Sequence, residues 1–179
     1  MPGSLVTHYT FSMISSESPR PVAVSVTVPL SLDAAFAAFL RSLNRWWPKE
    51  YTWSGELLEL IAIEPKIGGA CYELGPHGFR CDWGHVVAYG EPNHLRFRWQ
   101  ISFLRAPVPN PGASSEVDVR FETDHAAETS VDLVHDGFER HGEDGQMYRD
   151  AMASKAGWPW IISLYREFAE QLAREDGAG

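Results

Sequence analysis

The last third of the chain carries the pattern that most limits its fold. Trp158, Ile161, Leu164, Tyr165, Phe168 and Leu172 recur three or four residues apart, while Arg166, Glu167, Glu170, Gln171 and Arg174 take other faces. That spacing makes one long amphipathic helix. Pro159 has no N–H to donate, so the helix is expected to begin near Gly157 or bend there, after a short helix over Gly145 to Ala153. Ahead of it runs a series of short segments that alternate with a period of two. A sheet with one apolar face and a helix with one apolar stripe must bury each other, so the sheet has to curl around the helix.

The strands are read from that alternation. Val22, Val24, Val26 and Val28 share one face, with Ala23, Ser25 and Thr27 on the other. Ser31 is a candidate N-cap, and Leu32, Ala35, Phe36, Phe39, Leu40 and Leu43 then follow helical spacing until Trp46-Trp47-Pro48 ends the run. Further strands are expected over Glu56 to Glu64, Ala70 to Leu74, Phe79 to Tyr89 and His94 to Phe103, then around Val117 to Phe121 and Val131 to His135. Gly75-Pro76-His77-Gly78 reads as a hairpin turn, and Pro107, Pro109, Pro111 and Gly112 mark a long loop. The class is α+β: six to seven antiparallel strands curved around a long C-terminal helix. With no repeat and no linker, residues 22–174 are expected as one domain, 1–21 as a flexible N-terminal arm and 175–179 as a disordered tail.

Composition narrows the partners. The 15 Lys and Arg against 24 Asp and Glu give a net charge of −9, which disfavours nucleic acid. No run of ~18 apolar residues spans a bilayer. The start lacks a secretory pattern, and two cysteines are too few for a disulfide scaffold, so a reducing, cytoplasmic setting is expected. Seven tryptophans need either a thick core or an incompletely filled one.

Several segments in this order carry a likeness. They are Val22 to Trp47 ending in Trp-Trp-Pro, Ile67-Gly68-Gly69-Ala70-Cys71-Tyr72-Glu73, Asp82-Trp83-Gly84-His85-Val86 and Pro92 to Trp99. Val117 to Phe121, Val131 to Phe138 and Gly157-Trp158-Pro159 complete the set. Together they resemble the SRPBCC, or START and Bet v 1-like, superfamily, in the branch related to the activator of Hsp90 ATPase. The resemblance implies a helix-grip fold with a cavity between the sheet and the terminal helix. It does not choose among carriers, cyclases and chaperone partners.

Candidate site residues follow from the faces. His135 shares a face with Val131 and Leu133 and is an acid–base candidate, as is Glu73 if it points inward. Ala70, Tyr72 and Leu74 form the more apolar face of their strand, whereas the family pattern turns Cys71 and Glu73 inward; both orientations stay open. Asp82 precedes Trp83 and is a candidate to orient a polar ligand group. Cys71 and Cys81 are expected nearly opposite across the hairpin, as a disulfide if the register allows. Trp46, Trp47, Trp83, Phe97, Trp99, Phe121, Trp158, Ile161 and Tyr165 complete the expected cavity wall. No metal set, no cofactor and no nucleotide or serine-hydrolase motif is seen. The leading expectation is a small hydrophobic or amphipathic ligand. A chaperone partner role and a cavity acid–base enzyme, such as a polyketide cyclase or hydratase, are the alternatives. A homodimer through an outward apolar row on Val22 to Val28, or through the Pro-rich loop, is a further candidate.

Overall fold

The structure is a computed structural model that describes residues 18–125 and 127–177. Most of the expected N-terminal arm lies outside the described residues. The seven strands are β1 (Val22–Val28), β2 (Leu60–Ile63), β3 (Ala70–Gly75), β4 (Phe79–Gly90), β5 (His94–Trp99), β6 (Ser115–His125) and β7 (Glu128–Asp136). They form one antiparallel sheet in the order β1-β7-β6-β5-β4-β3-β2, curled into a half-barrel. The helices are α1 (Leu32–Leu40), α2 (Leu43–Trp46), α3 (Gly145–Ala153) and α4 (Trp158–Gly177).

The alternation sets the inner face. Val22 pairs with His135, Val24 with Leu133 and Val26 with Val131; His135 pairs in turn with Val117, and Val117 with Phe97. These side chains form a continuous interior with Phe36, Phe39, Trp158, Tyr165 and Phe168 from the helices. The Tyr165 hydroxyl donates to the Ala35 carbonyl at 2.9 Å and ties α4 to α1. With its valines inward, β1 shows Ala23, Ser25 and Thr27 outward, so the expected apolar dimer row on this edge strand is not there.

The expected first helix is two pieces. Ser31 caps α1 by accepting from the Ala34 N–H, and α1 stops at Leu40. The buried Trp46 indole N–H then donates to the Ala38 and Phe39 carbonyls at 3.2 and 3.1 Å, satisfying end-of-helix acceptors that α1 itself leaves open. Trp47 is extended, as a residue before proline prefers, and ends α2. Between α3 and α4 sits Gly157, where a Cβ would lie 2.2 Å from the Met152 carbonyl oxygen, so the two helices close up only around glycine. Pro159 falls in the first turn of α4, where no N–H is required. The helix runs to Gly177, past the expected domain end at 174, so the expected tail is helical over its first three residues.

Two strands are shorter than expected. Glu56 to Glu64 contains a 3-10 turn at Gly55–Leu57 before β2, and β5 stops at Trp99 rather than Phe103.

Candidate functional site

A bulge in β4 decides what faces inward on the neighbouring strand. Cys71 pairs with Gly84, whereas Tyr72 pairs with Asp82 and Glu73 with Cys81, leaving Trp83 as the extra residue. Trp83 and Gly84 are both buried; a Cβ on Gly84 would stand 2.2 Å from the Arg98 carbonyl oxygen. Cys71 and Glu73 point inward and are fully buried. Ala70, Tyr72 and Leu74 form the half-buried outer face, where the Arg80 guanidinium lies 4.3 Å from the Tyr72 ring centroid. Asp82 also faces outward, bonded to Arg80 at 2.9 Å, and orients nothing in the interior. The two cysteines are free, because Cys71 faces Gly84 and Cys81 faces Glu73 rather than each other. Burial pushes the Cys81 thiol up to about 11 and raises that of Cys71 as well.

Both expected proton-moving residues are occupied by structural bonds. Glu73 accepts from the Trp53 N–H at 3.0 Å, the Ser54 N–H at 2.9 Å and the Ser54 hydroxyl at 2.8 Å. A carboxylate survives burial when hydrogen-bonded in this way, and here it anchors the loop between α2 and β2. His135 is fully buried. Its Nδ1 accepts from the Trp158 indole N–H at 2.9 Å, so the proton sits on Nε2 and is donated to Ser115 Oγ at 2.7 Å. The Ser115 hydroxyl in turn lies 2.9 Å from Nε2 of the half-buried His141. Desolvation, followed by repulsion from His141, holds the His135 pKa well below its usual range.

The filled interior leaves its open space at one end. A pocket of about 280 Å³ lies among the α2–β2 loop, the segment after β5, α3 and the first turn of α4. Trp47, Trp99 and Ile161 line it, together with residues not read from the sequence, chiefly Tyr51, Trp53, Ile101, Phe103, Arg105 and Tyr148. Four bonds hold its rim: Tyr51 Oη to the Ala156 carbonyl at 2.6 Å, Trp53 Nε1 to the Arg105 carbonyl at 2.9 Å, Arg105 Nη1 to the Glu50 carbonyl at 3.2 Å and Arg105 Nη2 to the Thr52 carbonyl at 3.5 Å. On its wall the Tyr148 hydroxyl accepts from Trp99 Nε1 at 2.6 Å and donates to the Ile101 carbonyl at 3.1 Å. Burial raises the Tyr148 pKa, so this hydroxyl stays protonated. Beside this pocket lies a void of about 10 Å³, lined by Glu73, Trp83 and Ile61 as well as Trp47 and Trp99. That is room for about one water.

The other expected wall residues lie elsewhere. Trp46, Cys71, Phe97, Phe121, Leu133, Trp158 and Tyr165 are buried in the core and His135 in its own network, none of them on the pocket wall. Aromatic packing accounts for this: Trp158 and Trp99 meet with ring centroids 5.4 Å apart, as do Phe39 and Tyr165 at 5.2 Å, and the space between sheet and α4 is filled. A more open groove of about 470 Å³ runs outside, between α2 and α4, but charged ends such as Arg45, Glu167 and Arg174 line it. Among the described residues no cluster of three or more His, Cys, Asp or Glu could hold a metal, and no helix is long and apolar enough to cross a membrane.

The model of the family described as Activator of Hsp90 ATPase homolog 1-like protein matches residues 29–164. The chain belongs to this family. That stretch of the chain runs from just after β1 into the second turn of α4, so it takes in every wall of the pocket. Among solved structures it is similar to the anthrahydroquino-gamma-pyrone synthase Txn09, solved as a complex, with 26% identity over 85% of this chain and 97% of that one, and a TM-score of 0.60. It is also similar to CalC, a self-sacrificing resistance protein from Micromonospora echinospora, at 27% identity, 87% and 96% coverage and a TM-score of 0.59. Protein MLL2253 from Mesorhizobium loti, at 17% identity, 85% and 98% coverage and a TM-score of 0.59, shares the fold. No curated protein sequence matches the chain.

Proposed function

We propose that this protein binds a small, mostly apolar aromatic molecule in the pocket at the end of the sheet. The observation that carries the reading is the wall itself: Trp47, Tyr51, Trp53, Trp99, Phe103 and Tyr148 converge on about 280 Å³ of open space while the rest of the interior is packed. That volume falls just below the ~300–1,000 Å³ usual for small-molecule sites, which favours a compact ring system over a sterol or a long acyl chain. Burying ~200 Å² of apolar ligand surface contributes roughly 5 kcal/mol before the costs of association. The likeness to a gamma-pyrone synthase supports an aromatic ligand.

Acid–base catalysis has less behind it. Glu73 already accepts three hydrogen bonds, and both ring nitrogens of His135 are engaged away from the pocket wall. The chaperone reading rests on the family description alone. The free, buried cysteines support the expectation of a reducing, cytoplasmic setting.

Native mass spectrometry and thermal shift with a panel of aromatic polyketides, fatty acids and sterols test the proposal. Retention and stabilisation by compact aromatics is the expected result. A panel in which nothing is retained and no melting temperature moves overturns it.

A further inference from the structure

Among the described residues, two buried indole donors have nothing to donate to. The indole N–H groups of Trp47 and Trp83 are shielded from solvent and lack a hydrogen-bond partner. Those of Trp46, Trp53, Trp99 and Trp158 each reach an acceptor. Buried polar groups are paired as a rule, and an unpaired one carries its full desolvation cost.

Both orphan donors belong to rings that line the same void of about 10 Å³. The void shares Trp47, Tyr51, Trp53, Trp99 and Ile101 with the larger pocket, so the two adjoin. Glu73 also lines it, with its oxygens turned to Trp53 and Ser54. Such surroundings select one kind of ligand group. A hydrocarbon leaves both N–H groups unpaired. An anionic oxygen would be desolvated beside the Glu73 carboxylate and repelled by it. A neutral carbonyl oxygen accepts two hydrogen bonds and carries no charge to desolvate.

Resting on the ligand-binding reading above, we propose that the pocket is built for a planar aromatic ketone or quinone whose carbonyl oxygen enters the adjoining void and accepts from Trp47 and Trp83. The aromatic walls take the ring faces, and the two indoles set which end goes in first.

The test uses the full chain and two probes of the same tricyclic outline, 9-fluorenone and fluorene, which differ by a carbonyl in place of a methylene. Titration by fluorescence or calorimetry should give fluorenone an advantage of about tenfold or more. In ¹H–¹⁵N spectra the Trp47 and Trp83 indole signals should move downfield with fluorenone and much less with fluorene. Trp83→Phe and Trp47→Phe keep an aromatic ring and remove the donor, and each should cut the fluorenone-over-fluorene ratio to about threefold or less, the ratio measured within each variant cancelling any loss of packing common to both probes. Equal affinity for both probes with unmoved indole signals overturns the carbonyl proposal and leaves the pocket reading standing. Binding of neither probe removes this proposal together with the pocket reading. Should the variants fail to fold, the spectra of the unaltered protein still decide.

Discussion

The Trp158 indole N–H donates to His135 Nδ1 across 2.9 Å, joining the first residue of α4 to the C-terminal end of β7. Because an indole can only donate, this bond makes Nδ1 an acceptor and places the histidine proton on Nε2, toward Ser115. Helix position and histidine tautomer are therefore set together.

That arrangement makes stability depend on pH. The folded-state pKa of His135 is lowered by desolvation, and that of the half-buried His141 by the same cause, so below about pH 6.5 the unfolded chain binds more protons. Stability is full above that range and falls as pH drops through it, with His135 contributing up to ~1.4 kcal/mol per pH unit. Chemical denaturation between pH 5 and 7.5 should show this slope, and His135→Gln should flatten it. At neutral pH His135→Ala should cost about 2–4 kcal/mol, because it leaves a cavity and an unpaired Trp158 N–H.

Glu73 is expected to behave as a loop anchor. Glu73→Ala removes the acceptor for the Trp53 and Ser54 amides and should destabilise the fold by about 2–4 kcal/mol, since hydrogen bonds to a charged group are the stronger kind. Hydrogen exchange should quicken first at those two amides. Unchanged exchange there would mean the carboxylate does not hold the loop.

Arg105 closes the pocket rim from a left-handed backbone conformation, φ +60°, which is costly for a residue with a Cβ. Arg105→Gly keeps that conformation without strain but loses the guanidinium contacts to the Glu50 and Thr52 carbonyls. Exchange of the amides over residues 49–55 should rise by roughly five- to tenfold, while global stability changes by less than ~1 kcal/mol. Native-state exchange read by mass spectrometry checks it.

The cysteines should stay reduced and slow to react. With the Cys81 thiol raised to about 11 and Cys71 raised further by deeper burial, a colourimetric thiol assay at pH 8 should find little reaction in the folded protein and two thiols after denaturation. Fewer than two on denaturation would show a disulfide.

Local patterning was enough to read the sheet-and-helix architecture. The Val22 to Val28 alternation, the 3-4 spacing from Trp158 to Leu172 and the helix stop at Trp47-Pro48 each state a secondary structure and the face it buries. The site was less legible. Tyr51, Trp53 and Arg105 lie in segments without a period, so no face could be assigned to them, and Phe103 ends an expected strand that the chain leaves already at Trp99. The orientation of Glu73 was undecided because its strand alternates a mixed face with another mixed face, and only the three donors from Trp53 and Ser54 make an inward carboxylate tolerable.

What the amino-acid order determined alone is the set of strands and helices and the apolar side of most of them, because periodicity is a property of neighbours along the chain. Tertiary structure decided the rest. Which tryptophans pair their N–H groups inside the core and which two are left unpaired depends on the β4 bulge at Trp83 and on the seating of α4 against the sheet. Those are contacts between segments far apart in sequence, and no local pattern records where two such surfaces fail to meet.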